Sequence, residues 1–131
     1  MAHITGSIGR QFYRVELKSL SGNTLIADEP EDLGGKNLGF SPFELLASSL
    51  AACTAATLRM YADRKGWDLD EVKIDVKLDW NKDENKTTIT RHLQLIGTLD
   101  EEQRARLLSI ADKCPVHEIL THPIAIATDL V

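Results

Sequence analysis

The sequence predicts an α+β fold, carried by one domain over residues 1–131. Three observations point there. Apolar and charged residues alternate from Val72 to Trp80, the period-2 pattern of a half-buried strand. The stretch from Ser41 to Lys65 is rich in small and apolar residues and is bounded by helix start and stop signals. The elements run ββ-α-ββ-α-β, so strands segregate into pairs and form antiparallel sheets rather than parallel crossovers.

The first two strands are expected over Phe12–Leu17 and Asn23–Asp28, around the turn Ser19-Leu20-Ser21-Gly22. Pro30 to Gly39 reads as a loop centred on Gly34-Gly35. Ser41 then offers an N-cap, Pro42 suits the first helical position, and Glu44 completes a Ser-x-x-Glu capping box. That helix should run to Lys65 and stop at Gly66. It is apolar on nearly all sides, which predicts a central, buried helix and hints at a partner chain over one face.

Val72–Trp80 and Thr87–Gly97 should form a long antiparallel hairpin across the turn at Asn81–Lys86. Asp100, with Gln103 three residues on, starts a helix with Leu107, Leu108 and Ala111 on one face. Pro115 biases Cys114 out of helical geometry, so a short helix should restart over Pro115–Leu120. Ile124, Ile126, Thr128 and Leu130 suggest a last strand.

Composition narrows the function. Apolar residues make up 43% of the chain, as in a globular protein. The net charge is −5 with no basic run, which argues against nucleic acid as the main partner. Met1–Ser7 has neither a basic nor an apolar signal region, so the cytosol is the default compartment. The longest uncharged stretch, Leu45–Leu58, falls short of the ~20 residues a bilayer span takes, so no membrane role is expected. In a reducing compartment two cysteines are more often chemical or merely buried than a structural disulfide.

Cys53 lies mid-helix among small uncharged residues, where a free cysteine usually behaves as a buried hydrophobe. Burial raises a thiol pKa, so reactivity there needs a cation close by. Cys114 should cap the short helix, where unpaired N–H groups favour a thiolate, so position alone makes it the more acidic thiol. Cys114, His117 and His122 resemble half a zinc site, but no second ligand pair accompanies them. Glu44 lies about 180° around the helix from Cys53 and roughly 13.5 Å along it, so it cannot touch that thiol. It either caps the helix or orients a cation. Arg91 shares a strand face with Ile89, Leu93 and Leu95 and needs a partner there unless the strand end is exposed. Arg10 and Arg14, near the first strand, read as solvated charges.

Taken together, Leu33-Gly34-Gly35-Lys36, Ser41-Pro42-Phe43-Glu44-Leu45-Leu46-Ala47, Ala51-Ala52-Cys53 and Cys114-Pro115-Val116-His117 resemble the OsmC/Ohr family of osmotically inducible and organic hydroperoxide resistance proteins. The resemblance implies an OsmC-like fold, with antiparallel sheets around a long central helix, and an intertwined homodimer with a thiol pair at the interface. It implies a thiol-dependent peroxidase for organic hydroperoxides. Cys53 matches the peroxide-attacking cysteine and Cys114 the resolving one. No cofactor is implied, only an external dithiol or lipoyl-type reductant. The family's activating arginine comes from the early strands, which leaves Arg10 or Arg14 for that role. In the hydroperoxide-resistance branch a glutamate stands ten residues before the first cysteine. Phe43 occupies that position here, and the acid is Glu44, one place later. Glu118 stands where some relatives carry arginine. A non-catalytic OsmC-like module that senses oxidation or binds a small ligand is the alternative.

Overall fold

The computed structural model describes residues 1–131. The chain divides into two compact units, Met1–Leu46 and Ala47–Val131.

In the N-terminal unit, β1 (Ile4–Ser7), β2 (Val15–Ser19) and β3 (Thr24–Ala27) form an antiparallel sheet in the order β1-β2-β3. β1 is absent from the sequence expectation because every one of its residues is exposed and no alternation marks it. The expected first strand starts later than Phe12, at Val15. Past β3, a 3₁₀ turn covers Glu31–Leu33 within the expected loop.

A single carboxylate organises this loop. Asp28 is 2% exposed. Its Oδ1 accepts from the N–H groups of Tyr13 at 3.0 Å and Glu29 at 2.8 Å. Its Oδ2 accepts from Lys36 at 3.2 Å and Leu38 at 3.1 Å. Burial alone would push the Asp28 carboxyl up, but these four donors hold it below the usual carboxylate range. Gly35 permits the arrangement, since a Cβ there would sit 2.0 Å from the Glu29 carbonyl oxygen and 2.9 Å from Asp28 Oδ1.

The long helix, α1 (Pro42–Lys65), begins where its capping signals place it. The Ser41 N–H donates to Glu44 Oε1 at 2.9 Å, and the Glu44 N–H donates to Ser41 Oγ at 3.2 Å. The helix ends at Gly66, whose φ of +69° is the left-handed conformation of a C′ glycine. In one respect α1 departs from expectation. It is not buried on all sides in the single chain; only Leu50, Thr54, Leu58 and Ala62 are buried. Their four-residue spacing is one narrow stripe, and Ala52, Ala56 and Met60 on other sides stay exposed. By length and composition alone α1 could cross a membrane, a test that the core helix of a soluble protein also passes.

In the C-terminal unit, β4 (Asp68–Asn81) and β5 (Lys86–Thr98) pair antiparallel, interrupted by one irregularity between Leu69 and Glu71, with Val76 opposite Arg91. The apolar members of the alternating pattern, Val72, Ile74, Val76 and Leu78, are half-buried, and the charged ones are exposed. α2 (Glu101–Ala111) opens with both bonds of a capping box between Asp100 and Gln103. α3 (Pro115–Leu120) follows, with Cys114 as its N-cap. The core joins Leu58 and Ala62 of α1, Leu69 of β4, and Leu107, Ile110 and Ala111 of α2. Ile110 takes the place expected of Leu108, which is 63% exposed, because the inward face of α2 lies over 107, 110 and 111. Arg104 ties α2 to β5, its guanidinium donating to the carbonyls of Leu95 at 2.8 Å and Gly97 at 3.2 Å.

The last expected strand, Ile124–Leu130, does not form in the single chain. A strand needs a neighbour to take its backbone N–H and C=O groups, and these residues are exposed with no ladder beside them.

Candidate functional site

Two elements of the C-terminal unit bring the cysteines together. Cys53 stands on α1, one position before the buried Thr54. Cys114 stands at the start of α3, where Pro115 forces the backbone into an extended conformation, with ψ of 131°. Both thiols are free, and they are hydrogen-bonded to each other. Cys53 is half-buried, whereas Cys114 is wholly buried.

The two sulfurs sit in different electrostatic settings. Burial pushes the Cys53 thiol up, and the contact with Cys114 adds to that, against donation from the Val116 N–H and the Thr57 hydroxyl. Burial acts the same way on Cys114 but is outweighed there. The Cys53 thiol, the His117 N–H, the Thr54 hydroxyl and the Val116 N–H all turn toward Cys114 Sγ and hold its pKa down. The N–H groups act on the sulfur electrostatically, without a tight capping bond. Within the chain, the first proton leaves from Cys114, the order that the N-cap position implies.

Arg91 joins Thr54 and His117, two residues that act on Cys114. Its side chain, 13% exposed, reaches from β5. One terminal nitrogen donates to Thr54 Oγ1 at 2.9 Å. The other donates to Asp112 Oδ1 at 2.9 Å and meets His117 Nδ1 at 3.3 Å. A guanidinium only donates, so His117 Nδ1 is the acceptor in that contact. The partner that an arginine on an apolar face requires is thus a set of three, and strand-end exposure is not the explanation. A cavity of about 440 Å³ opens beside this guanidinium, walled by Leu50, Ile89, Leu93, Leu108 and Leu120.

Arg10, Arg14 and Glu44 belong to the N-terminal unit, and the thiols to the C-terminal one. Arg14 is paired with Glu16 at 2.6 Å, and Glu44 forms both capping-box bonds described above. His117 turns toward Arg91, and His122 Nδ1 lies 2.6 Å from the Glu118 carbonyl. No group of three or more His, Cys, Asp or Glu side chains converges as a metal-ligand set. Sequence reasoning missed Thr54 and Asp112. Thr54 had a signal: it is the one polar residue on the stripe Leu50-Thr54-Leu58-Ala62. Asp112 had none, since only the tertiary fold places it beside β5.

A contacting pair of free thiols, one half-buried on a long helix and one beneath it at a helix start, defines a dithiol protein of α+β architecture. The OsmC-like protein family matches residues 34–129, and the chain belongs to that family. Solved structures agree in fold. An osmotic-stress-induced and detoxification response protein of Psychrobacter arcticus shares 26% identity, with a TM-score of 0.81 over 94% of this chain and 90% of that one. An OsmC-like protein of Mycoplasma pneumoniae shares 21%, with a TM-score of 0.79 over 92% and 87%. The organic hydroperoxide resistance protein OhrB of Bacillus subtilis shares 24%, with a TM-score of 0.62 over 91% and 89%. No curated protein matches the chain. The family is one linked to oxidative stress and hydroperoxide resistance.

Proposed function

We propose that the protein is a thiol-dependent peroxidase that reduces organic hydroperoxides with Cys53 and Cys114. The observation that carries this reading is the direct contact between the two free thiols. Cys53 attacks because its sulfur is the one nearer solvent, and a peroxide must reach the sulfur it oxidises. Its thiolate bonds to the distal peroxide oxygen, the O–O bond breaks, and ROH leaves with a proton. Cys53 is then a sulfenic acid. The Cys114 thiolate displaces its hydroxyl group, which leaves as water, and a disulfide remains. A dithiol or lipoyl-type reductant resets the pair by exchange. No metal or flavin takes part.

The raised pKa of Cys53 demands a cation at the moment of attack. Arg10 and Arg14 are the candidates, with Glu44 as the acid that would hold the guanidinium. Exposed apolar side chains in the C-terminal unit, among them Met60 and Ile119, support a second copy of the chain as partner. The family match crosses both compact units, which supports reading residues 1–131 as one domain. We assign the protein to the cytoplasm, where dithiol reductants are available.

The test is consumption of cumene hydroperoxide with dithiothreitol as reductant. The wild-type protein should turn over and Cys53→Ser should not; with no reductant present, Cys114→Ser should react once per chain and stop with Cys53 as a sulfenic or over-oxidised species. Turnover by Cys53→Ser with none by Cys114→Ser would reverse the roles. No consumption by the wild type would remove the peroxidase reading.

A further inference from the structure

The hydroxyl of Thr54 has more acceptors than protons. It donates to the Leu50 carbonyl at 2.7 Å, as a threonine within a helix does. It also lies near Cys114 and favours the thiolate there. A hydroxyl carries one proton and cannot serve both at once. The Arg91 guanidinium, 2.9 Å away, occupies a lone pair on the same oxygen. That contact fixes the oxygen in place and strengthens the hydroxyl as a donor. Thr54 and Cys114 are both fully buried, so water cannot substitute for either bond.

We propose that Thr54, held by Arg91, is a positioning residue that makes Cys114 the leaving sulfur when a dithiol opens the Cys53–Cys114 disulfide. The inference rests on the two-cysteine reading above. A reductant thiolate attacks Cys53 Sγ, the more accessible sulfur. A bond forms between that sulfur and the reductant, the protein disulfide breaks, and its electron pair goes to Cys114 Sγ. In the disulfide, Cys114 Sγ is a weak acceptor and the Thr54 proton stays on the Leu50 carbonyl. As charge develops on the sulfur, the hydroxyl rotates to donate to it. The second reductant thiolate then attacks its own sulfur in the mixed disulfide and releases Cys53. Two electrons pass from the reductant to the protein, and the reductant leaves as a disulfide. A more stable leaving thiolate departs faster, so this hydroxyl acts on the reset half of the cycle.

The ionisable groups about Cys114 are few. Cys53 faces it from α1, Arg91 stands behind Thr54 on β5, and Asp112 and His117 flank it in the chain, each engaged with Arg91.

The experiment forms the disulfide with diamide, so no peroxide step enters. Two quantities are read: the rate at which dithiothreitol opens the disulfide, and the Cys114 pKa in a Cys53→Ser background, from thiolate ultraviolet absorbance. Thr54→Val keeps the side-chain shape and removes the hydroxyl. It should raise the Cys114 pKa by about one unit and slow opening by about three- to tenfold. Thr54→Ser should restore both. Arg91→Gln, which leaves the hydroxyl but removes its partner, should shift both in the same direction by less, and it carries the test if Thr54→Val does not fold. A wild-type opening rate and an unchanged Cys114 pKa in Thr54→Val overturn the proposal. Absence of peroxide turnover alongside a clear Thr54 effect would instead remove the peroxidase reading and leave the leaving-group assignment standing. If diamide forms no disulfide, the two-cysteine cycle falls and this proposal falls with it.

Discussion

Oxidising the Cys53–Cys114 pair should make the fold more resistant to heat, and the size of the effect follows from the chain. The two thiols already touch in the reduced protein, so the bond closes with little rearrangement and stores little strain. Its effect then falls mainly on the unfolded state, which loses the freedom of the loop between them. For a closed loop of roughly 60 residues the chain-entropy relation gives about 4 kcal/mol. In a chain of this size that corresponds to a rise in melting temperature of roughly 10–15 °C. The assay compares thermal unfolding of the diamide-oxidised protein, the reduced protein, and a Cys114→Ser control treated alike. Thiol titration and mass must show that the bond lies within one chain. A rise of at least several degrees in the wild type alone is expected. An intramolecular disulfide that leaves the melting temperature unchanged, or lowers it, would mean that the bond strains the fold and that the thiol contact does not prefigure it.

Three further outcomes test separate parts of the structure. Leu107→Ala removes a side chain with no solvent exposure and should cost about 2–5 kcal/mol in urea unfolding, whereas the exposed Leu108→Ala should cost under about 0.5 kcal/mol; equal losses would misplace the α2 face. Asp28 is held below the usual carboxylate range, so its native state binds fewer protons than the unfolded state. Its stabilising contribution is present above the ordinary aspartate pKa and is lost as pH falls through the lower native value. Protection of the Tyr13, Lys36 and Leu38 amides, taken relative to their intrinsic exchange at each pH, should therefore fall in acid, and in Asp28→Asn it should be low at neutral pH as well; an Asp28→Asn profile equal to wild type at neutral pH would refute this. Glu44→Gln keeps acceptors for the capping bond but loses the charge, so stability should change little. If Glu44 also orients the arginine that activates Cys53, the peroxide rate should fall and the Cys53 pKa should rise; an unchanged rate and pKa would confine Glu44 to the cap.

What was legible in the sequence was local. Ser41, Pro42, Glu44 and Gly66 fix both ends of α1 because capping is an exchange of bonds between residues a few positions apart. Pro115 sets Cys114 at a helix start for the same reason. The face of α2 was harder. Leu108 and Ile110 are equally apolar, and which one points inward depends on how the helix rolls against β4 and β5, a tertiary fact. The partners of Arg91 were beyond reach: Thr54, Asp112 and His117 come from three other places in the chain. β1 left no pattern because an exposed strand has no need to alternate. The Ile124–Leu130 pattern misled in the opposite way, since alternation describes a face and says nothing of whether a neighbouring strand is there to pair with.

The N-terminal unit has a thermodynamic character unlike the rest of the chain. Ala27 and Asp28 are its only buried residues, so its loop is ordered by four amides converging on one carboxylate rather than by withdrawal of apolar surface from water. Heat-capacity change on unfolding follows apolar exposure and is offset by polar exposure. Melting of residues 1–46 should therefore add little to the heat capacity of unfolding, and the order of this unit should vary with temperature along a flatter curve than the Leu58–Leu107 core. Cooling, which weakens apolar packing, would leave the Asp28 loop the better preserved of the two.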